Sequence, residues 1–143
     1  MSGDSVFIDT NVLVYAYDKE AGRKHEIARD LLIKLWRNKG AALSIQVLQE
    51  LFVTVTRKIS KPISTRIAKE IVKDLLTWDV VSVDGASLLA AIELHEREKI
   101  SFWDALIVTS AQRAGAAVLL SEDFTDARVF AGVTVRNPFA TRI

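Results

Sequence analysis

Two acidic side chains stand where ligands gather in many α/β proteins. Asp9 follows the short apolar run Val6-Phe7-Ile8, and Asp123 follows a second apolar run at residues 117–120. Apolar runs of this length are typical of buried strands in a parallel sheet. Because parallel strands end at the same edge of a sheet, where ligands bind, we expect Asp9 and Asp123 to lie on one edge.

Two further acids, on predicted helices, are candidates for the same region. Asp104 lies in the first turn of a predicted helix that leads into the strand at 117–120. Helix starts in parallel sheets approach the edge where strands end. Glu50 lies on the polar side of another predicted helix, with Gln46 and Thr54, where it either lines a cleft or faces water.

Each acid also has a purely structural interpretation. Asp9 could cap the helix that follows it, Asp123 could cap a turn, and Ser101 with Asp104 fits a capping box. For any one acid this interpretation is the simpler one. Taken together, acids at two strand ends and one helix start predict a concentration of negative charge. A hard divalent cation such as Mg²⁺ or Mn²⁺ would neutralise it.

The composition fits one α/β domain covering residues 1–143, half of them hydrophobic. No apolar run is long enough to span a membrane, and Met1–Ser5 show no secretory signal. The chain has no cysteine, which excludes disulfides, thiolate metal sites and cysteine nucleophiles. This composition suits a reducing compartment, so we expect a cytoplasmic protein without membrane attachment.

The net charge of +1 is unevenly distributed. Residues 23–39 carry six basic and two acidic side chains, a net +4, and residues 57–73 carry six and one, a net +5. Residues 74–104 carry two and seven, a net −5. A solvated helix face explains any single basic residue, whereas the two basic blocks together suggest a polyanionic partner.

Hydrophobic periodicity and turn residues divide the chain into alternating strands and helices. The predicted strands cover residues 6–8, 41–45, 80–83, 117–120 and 133–135. The predicted helices begin after Asp9 and then cover residues 23–38, 46–58, 64–77, 86–98 and 101–114. This alternation predicts a parallel sheet covered by helices on both faces.

The sequence resembles the PIN-domain family, and within it the VapC-type ribonuclease toxins of toxin–antitoxin pairs. Val6–Leu13 is similar to the family's first motif, and Glu50 stands where the family has its glutamate. Phe102–Ala105 is similar to the third motif and Leu119–Phe124 to the fourth, with Ser121 where Thr or Ser is usual. The four motifs occur in the family's order across nearly the whole chain.

The resemblance implies a three-layer α/β/α fold with a central parallel sheet in the order 3-2-1-4-5. It implies a metal-dependent endoribonuclease in which Asp9, Glu50, Asp104 and Asp123 surround one or two Mg²⁺ or Mn²⁺ ions. It also implies a homodimer and a small antitoxin partner, which inserts a peptide into the acidic cleft, often with an Arg that competes with the metal.

These residues suit hydrolysis of RNA by a metal-activated water, which would leave a 5′ phosphate. Asp9 and Asp104 are the first expected ligands, and Asp123 would bind metal directly or through water. Glu50 would orient the attacking water or hold a second ion. The residues expected to hydrogen-bond the carboxylates are Asn11 and Ser121.

RNA needs positive charge beside the acidic site. The residues expected to contact its backbone are Arg57, Lys58, Lys61 and Arg66, with Lys69 and Lys73 beyond them. Trp103 could stack on a base, but beside Phe102 at a helix start we expect it in the core. We expect no catalytic role for His25, His95 or Asp126.

Three alternatives compete with the nuclease hypothesis. An aspartyl-phosphate phosphatase needs a second Asp where Asn11 stands and a Lys near the later acids, and no Lys follows Lys99. A receiver-like signalling domain, which could use Asp84, needs the same Lys. The main alternative is a PIN-like module that binds RNA or a protein without cutting.

Overall fold

A computed structural model describes residues 5–140, so residues 1–4, which include most of the segment searched for a secretory signal, and residues 141–143 lie outside the described residues. The strands are β1 (Val6–Ile8), β2 (Ala42–Ser44), β3 (Asp79–Val81), β4 (Val118–Leu120), β5 (Val129–Phe130) and β6 (Val133–Arg136). The helices are α1 (Thr10–Tyr17), α2 (Arg23–Arg37), α3 (Ile45–Arg57), α4 (Thr65–Leu75), α5 (Gly85–Glu98) and α6 (Phe102–Arg113). A short 3-10 helix, Lys19–Ala21, joins α1 to α2.

All six strands form one sheet in the order β3-β2-β1-β4-β6-β5. The pairs among β3, β2, β1, β4 and β6 are parallel, so the five predicted strands take the predicted order 3-2-1-4-5. The prediction is corrected at one edge, where β5 pairs antiparallel with β6. A two-residue strand has no detectable period, and Ala131-Gly132 turns the chain back with positive φ at both residues.

The order in which the chain adds strands to the sheet changes direction beside β1. From β1 the chain moves outward to β2 and β3, and it then returns past β1 to β4. Right-handed connections therefore put α1 to α4 on one face and α5 and α6 on the other, which gives the predicted three layers. Ligands bind at the carboxyl ends of the strands where such a sheet reverses, which here are β1 and β4.

Polar side chains fix where the helices begin. Each accepts a hydrogen bond from a backbone N–H of the first turn, and these side chains belong to Asp9, Ser44, Ser64, Asp84 and Ser101. The central strands of the sheet are buried, with Phe7, Leu43 and Leu119 fully inaccessible. Within residues 5–140 no helix is long and apolar enough to cross a membrane.

Two of the three tryptophans pack against each other. The ring centroids of Trp36 and Trp78 lie 4.7 Å apart in an edge-to-face arrangement. Gly40 has a φ of +85°, and a Cβ there would lie 2.6 Å from Cδ1 of Trp78. The turn into β2 therefore requires glycine on two grounds, its backbone conformation and the approach of the indole ring.

Candidate active site

Asp9 is fixed at the end of β1 by three hydrogen bonds. Its backbone N–H donates to the Leu120 carbonyl at 2.9 Å, which extends the β1–β4 pairing by one step. Its Oδ1 accepts from the Thr10 N–H at 2.7 Å, and its Oδ2 accepts from the Ser121 hydroxyl at 2.8 Å. The residue is only 5% exposed, so its carboxylate is held in one position.

The strand register explains why Ser121 meets Asp9. Ile8 lies opposite Leu120 in the parallel pair, so the next residues of the two strands are Asp9 and Ser121. The Ser121 hydroxyl also accepts a hydrogen bond from the Asp123 N–H at 3.1 Å. One buried hydroxyl therefore connects the two segments that carry Asp9 and Asp123.

All four candidate acids line one cleft of about 580 Å³ at the carboxyl ends of β1 and β4. Asp9 and Asp123 follow the two strands, Asp104 stands in the first turn of α6, and Glu50 comes from α3. The other lining residues are Thr10, Asn11, Val14, Tyr15, Gln46, Gln49, Val53, Thr54, Lys58, Trp103 and Ile107. The topological reversal and the acidic cleft therefore coincide.

Glu50 faces the cleft and is held there by its neighbours. The Thr10 hydroxyl donates to its Oε1 at 2.8 Å, and the Gln46 amide donates to its Oε2 at 3.5 Å. The polar side of α3 that the helical wheel separates from the core therefore lines the site. Thr54, which the helical wheel groups with Glu50, lines the cleft as well, and so does Gln49.

Burial and like charges disfavour ionisation in the cleft. Burial is the main reason why the pKa of Asp9 rises to about 7. The nearby carboxylates of Asp123 and Asp104 raise it further, and the hydrogen bonds from Ser121 and Thr10 oppose them. The pKa of Asp123 is also raised, first by burial and then by the charge of Asp104. This negative charge has no cation to compensate it among the described side chains of the cleft except Lys58.

Asn11 places an amide group among these acids. Its Oδ1 and Nδ2 atoms are buried and have no hydrogen-bond partner within residues 5–140. The amide lies close enough to Asp123 to lower the pKa of that carboxyl, against the larger effect of burial. Buried amide groups without partners are uncommon, and the carboxyl group beside this one is that of Asp123.

The donor set fits a hard divalent cation bound through few protein ligands. Within residues 5–140 no three His, Asp or Glu side chains are grouped closely enough to enclose a metal ion. Mg²⁺, however, takes only one or two carboxylates at many sites and keeps several waters. Buried Asp9, with Asp104 and Asp123 beside it in an open cleft, supplies such carboxylates and leaves room for water. We therefore judge that the residues fit a hydrated cation.

A second layer of contacts fixes the loop that carries Asp123. The Tyr15 hydroxyl donates to Oε1 of Glu122 and the Lys24 ammonium donates to its Oε2, both at 2.6 Å. Lys24 also lies 5.0 Å from the centre of the Tyr15 ring. These contacts join α1 and α2 to the residue next to Asp123. No sequence pattern predicts them, because the partners are about a hundred residues apart.

The predicted basic residues are only partly beside the cleft. Lys58 lines it, whereas Arg57, Lys61 and Arg66 do not. Lys61 instead lies 3.6 Å from Glu20 in an exposed ion pair. Of the four residues predicted to contact the RNA backbone, only Lys58, which directly follows α3, therefore lies at the cleft.

The other polar residues considered in the sequence lie elsewhere. His25 contacts the Tyr15 carbonyl through Nδ1, and His95 contacts the Ile100 carbonyl in the same way. Asp126 accepts a hydrogen bond from the Asn137 N–H in an exposed loop. Asp84 caps α5 and pairs with Arg113 at 2.8 Å. None of these four polar side chains lines the cleft.

The prediction that Trp103 belongs to the core is wrong. Its side chain is 62% exposed and lines the cleft beside Asp104. Phe102 is the ring that turns inward, and it packs edge-to-face on Trp103 with centroids 5.0 Å apart. At the first turn of a helix, hydrophobicity alone cannot distinguish a core position from the wall of a cleft, because the neighbouring turn that would define the face is missing.

An open parallel sheet with an acidic cleft at its reversal defines a class of ligand-binding α/β proteins. Within that class, a model of the PIN domain matches residues 6–129 of the sequence. The chain therefore belongs to the PIN domain family. None of the curated proteins compared with it matches significantly.

Solved structures support the fold. The chain resembles a toxin–antitoxin complex from Klebsiella pneumoniae with a TM-score of 0.69 and 20% identity, over 96% of this chain and 100% of the other. It resembles VapC20 from Mycobacterium tuberculosis, a toxin that cleaves the sarcin–ricin loop, with a TM-score of 0.62 and 21% identity, over 83% and 90%. It resembles VapBC2 from Rickettsia felis, bound to promoter DNA, with a TM-score of 0.62 and 22% identity, over 92% and 97%.

Proposed function

We propose that the protein is a Mg²⁺- or Mn²⁺-dependent endoribonuclease that hydrolyses RNA phosphodiester bonds. The observation that carries this proposal is the meeting of Asp9, Glu50, Asp104 and Asp123 in one cleft at the reversal of the sheet. Membership of the PIN domain family supports it, as does the raised pKa of Asp9, which marks a buried carboxylate in need of a cation. We also propose that residues 1–143 act as one domain.

The four acids divide two tasks in the proposed reaction. Asp9, Asp104 and Asp123 hold the cation, directly or through water. When bound, a divalent cation would lower the pKa of the water molecule that it holds. It would also stabilise the negative charge that develops on the phosphate and on the leaving oxygen. Glu50, fixed by Thr10, orients the attacking water or contributes to a second cation position. Water as nucleophile leaves a 5′ phosphate on the product.

Neutral side chains keep the carboxylates in place. Ser121 donates to Asp9 and accepts from the backbone of Asp123, so it fixes the separation of two proposed ligands. Asn11 offers its unpartnered amide to Asp123 or to water bound there. Such contacts orient metal-binding carboxylates, and their removal weakens metal binding in characterised sites by roughly 10- to 100-fold.

Positive charge at the mouth of the cleft would hold the RNA backbone. Lys58 lies at the cleft itself, and Arg57, Lys61 and Arg66 lie near it in sequence on exposed surface. Phosphate contacts of this kind give affinity that falls with salt and carries little sequence preference. The choice of target would come from the other cleft residues.

We propose that the protein is the toxin of a type II toxin–antitoxin pair and acts in the cytoplasm. The structural similarity to toxin–antitoxin complexes supports an antitoxin partner. An acidic cleft also suits a peptide that carries an Arg, since a guanidinium group pairs with carboxylates in a bidentate manner.

We further propose that the protein forms a homodimer. Large apolar side chains are exposed on α2 and α4, such as Ile33 and Ile67, and Leu76 is exposed directly after α4. Others are exposed on α5, among them Leu89. Exposed apolar side chains on these helices supply a surface that a second chain could cover. Light scattering after size exclusion tests this proposal, and a monomer at micromolar concentration would contradict it.

The decisive experiment is cleavage of a structured RNA by the purified protein with Mg²⁺, Mn²⁺ or EDTA. We expect cleavage with either metal and none with EDTA, and products that carry 5′ phosphates. Asp104→Asn and Asp123→Asn should each reduce the rate at least about 100-fold, since each removes a charge that holds the cation.

Asp126→Asn is the matched control, because this acid stands three residues from Asp123 but outside the cleft. It should cleave at the wild-type rate. Cleavage that EDTA and both cleft variants leave unchanged would overturn the nuclease proposal. RNA binding without any cleavage would favour the non-cutting module instead.

A further inference from the structure

We propose that Trp103 is the stacking surface for one unpaired nucleobase of the RNA, next to the phosphate held by the acidic site. The inference rests on the proposed nuclease function and adds to it a residue that binds the base beside the cut. An indole ring can receive any base, because every base has a flat π face.

The position of Trp103 in the cleft carries this inference. The side chain is 62% exposed although tryptophan is among the residues that gain most from burial. It immediately precedes Asp104, and both side chains line the same cleft. A base on the indole would therefore lie one residue away from a proposed cation ligand.

The ring is supported from within the protein and open towards the cleft. Phe102 is partly buried against the core and contacts the indole edge-to-face, with an angle of 72° between the ring planes. This contact limits the movement of the indole, so less conformational entropy is lost when a base binds. Tyr15, the other aromatic ring of the cleft, hydrogen-bonds Glu122.

The surroundings match a nucleotide in two parts. Val53, which is 43% exposed, and Ile107 are apolar residues of the cleft that Trp103 also lines. The acids and Lys58 give it a charged part. A nucleotide likewise joins a flat, weakly polar base to a charged phosphate. A folded protein partner would need a broader apolar patch than this cleft provides.

The test measures binding without cleavage, at low ionic strength with Ca²⁺ in place of Mg²⁺, so that a divalent cation still compensates the acidic cleft. The probes are a labelled single-stranded RNA oligomer and an abasic oligomer of the same length, which has the same phosphates and no bases. Fluorescence anisotropy of the labelled oligomers gives both affinities. The proteins are wild type, Trp103→Ala, Trp103→Phe and, as a control with a partly exposed tryptophan outside the cleft, Trp36→Phe.

We expect Trp103→Ala to weaken binding of the base-containing oligomer about 5- to 150-fold, the equivalent of ~1–3 kcal/mol per stacked base. Binding of the abasic oligomer should not change. Trp103→Phe should retain most of the affinity because a phenyl ring also stacks. RNA should quench the tryptophan emission of wild type and Trp36→Phe, and quench it far less in Trp103→Phe.

Equal effects of Trp103→Ala on both oligomers, or none on either, would overturn the inference, and the exposed ring would then belong to a protein interface. No binding of RNA by the wild type would overturn it as well. The two proposals fail separately. A base-dependent affinity without metal-dependent cleavage contradicts only the nuclease, and metal-dependent cleavage that Trp103→Ala leaves intact contradicts only the stacking role.

Discussion

The hydroxyl of Ser121 donates to Oδ2 of Asp9 across 2.8 Å, and both residues are buried. The bond joins the ends of β1 and β4, the two strands between which the strand order of the sheet changes direction. Since Ser121 also accepts from the Asp123 N–H, its removal leaves one buried acceptor and one backbone donor without their partner.

Ser121→Ala should lower the free energy of unfolding by about 1–3 kcal/mol, the usual effect of leaving a buried group unsatisfied. It should also raise the pKa of Asp9 further, because the hydroxyl stabilises the ionised form. Urea denaturation at neutral pH measures the first effect. Ser82→Ala, at an exposed serine after β3, should change the stability by less than about 0.5 kcal/mol. Equal stability of the two variants would contradict the role of the hydroxyl.

Asp9→Asn should stabilise the metal-free protein at pH 8. The pKa of Asp9 is about 7 in the folded chain and near 3.8 without the fold, so between these values only the native state keeps the proton. The stability of the metal-free wild type therefore falls as pH rises from about 4 to 7 and then levels off. Each unit of pKa corresponds to ~1.4 kcal/mol, and the asparagine variant should lack this part of the pH dependence.

Thermal unfolding in EDTA from pH 4 to pH 8 tests this prediction, with Asp126→Asn as the control that should follow the wild type. Addition of Mg²⁺ or Mn²⁺ at pH 8 should raise the melting temperature of the wild type and much less that of Asp9→Asn. A wild type whose stability increases from pH 4 to pH 7 more than that of Asp9→Asn would show that the buried carboxylate is not destabilising.

Asp84 should stabilise the fold in its ionised form, so its effect on stability should depend on pH in the opposite direction from that of Asp9. It caps α5 through the Ser87 N–H and pairs with Arg113, and these contacts lower its pKa to about 2. A lowered pKa means that the contribution is complete above about pH 4 and is lost as pH falls through about 2. Asp84→Asn should therefore melt at a lower temperature than the wild type at pH 7, and the difference should shrink between pH 4 and pH 2.

Glu93→Gln, an exposed acid on the same helix, is the control and should keep the wild-type melting temperature at pH 7. Calorimetry of the three proteins across this pH range gives the comparison. A difference between Asp84→Asn and wild type that grows on acidification would contradict the assigned linkage.

Gly40→Ala should lower the free energy of unfolding by about 2–4 kcal/mol for two reasons. The added methyl group overpacks its surroundings, and alanine is strained in the left-handed backbone conformation of this position. The methyl carbon would lie 2.6 Å from the Trp78 ring at a φ of +85°. Gly115→Ala separates the two causes, because its φ is +73° and nothing lies within 4 Å of the added carbon. It should lose only about 1–2 kcal/mol in the same urea titration. Equal losses would exclude the clash with Trp78.

Much of the fold is predictable because it is encoded locally. Every predicted helix and strand within residues 5–140 is found with its ends within two residues of the predicted positions. Serine and aspartate caps such as Ser44 and Ser101 mark helix starts, and β-branched runs mark strands. The antiparallel strand Val129–Phe130 is missed because two residues show no period.

The candidate site is predictable where it follows strand ends and less so elsewhere. Strand ends bring Asp9 and Asp123 to one edge, which periodicity and topology rules predict. Whether the start of α6 reaches that edge depends on how the helix packs, so the position of Asp104 in the cleft had to come from the structure. The exposed Trp103 is the clearest failure, because a hydrophobic side chain at the rim of a cleft has the same local pattern as one in the core.

One carboxylate serves two purposes in this molecule. Oδ1 of Asp9 starts α1, and the same group is the most buried acid of the proposed cation site. A substitution that removes the acceptor for the Thr10 N–H would therefore be selected against for folding and for activity at once, whereas asparagine would cost activity alone. Asp104 and Asp123, at more exposed positions, are not helix caps of this kind. Over evolutionary time we expect a descendant that has lost its activity to lose these two acids, and to keep aspartate or asparagine at position 9.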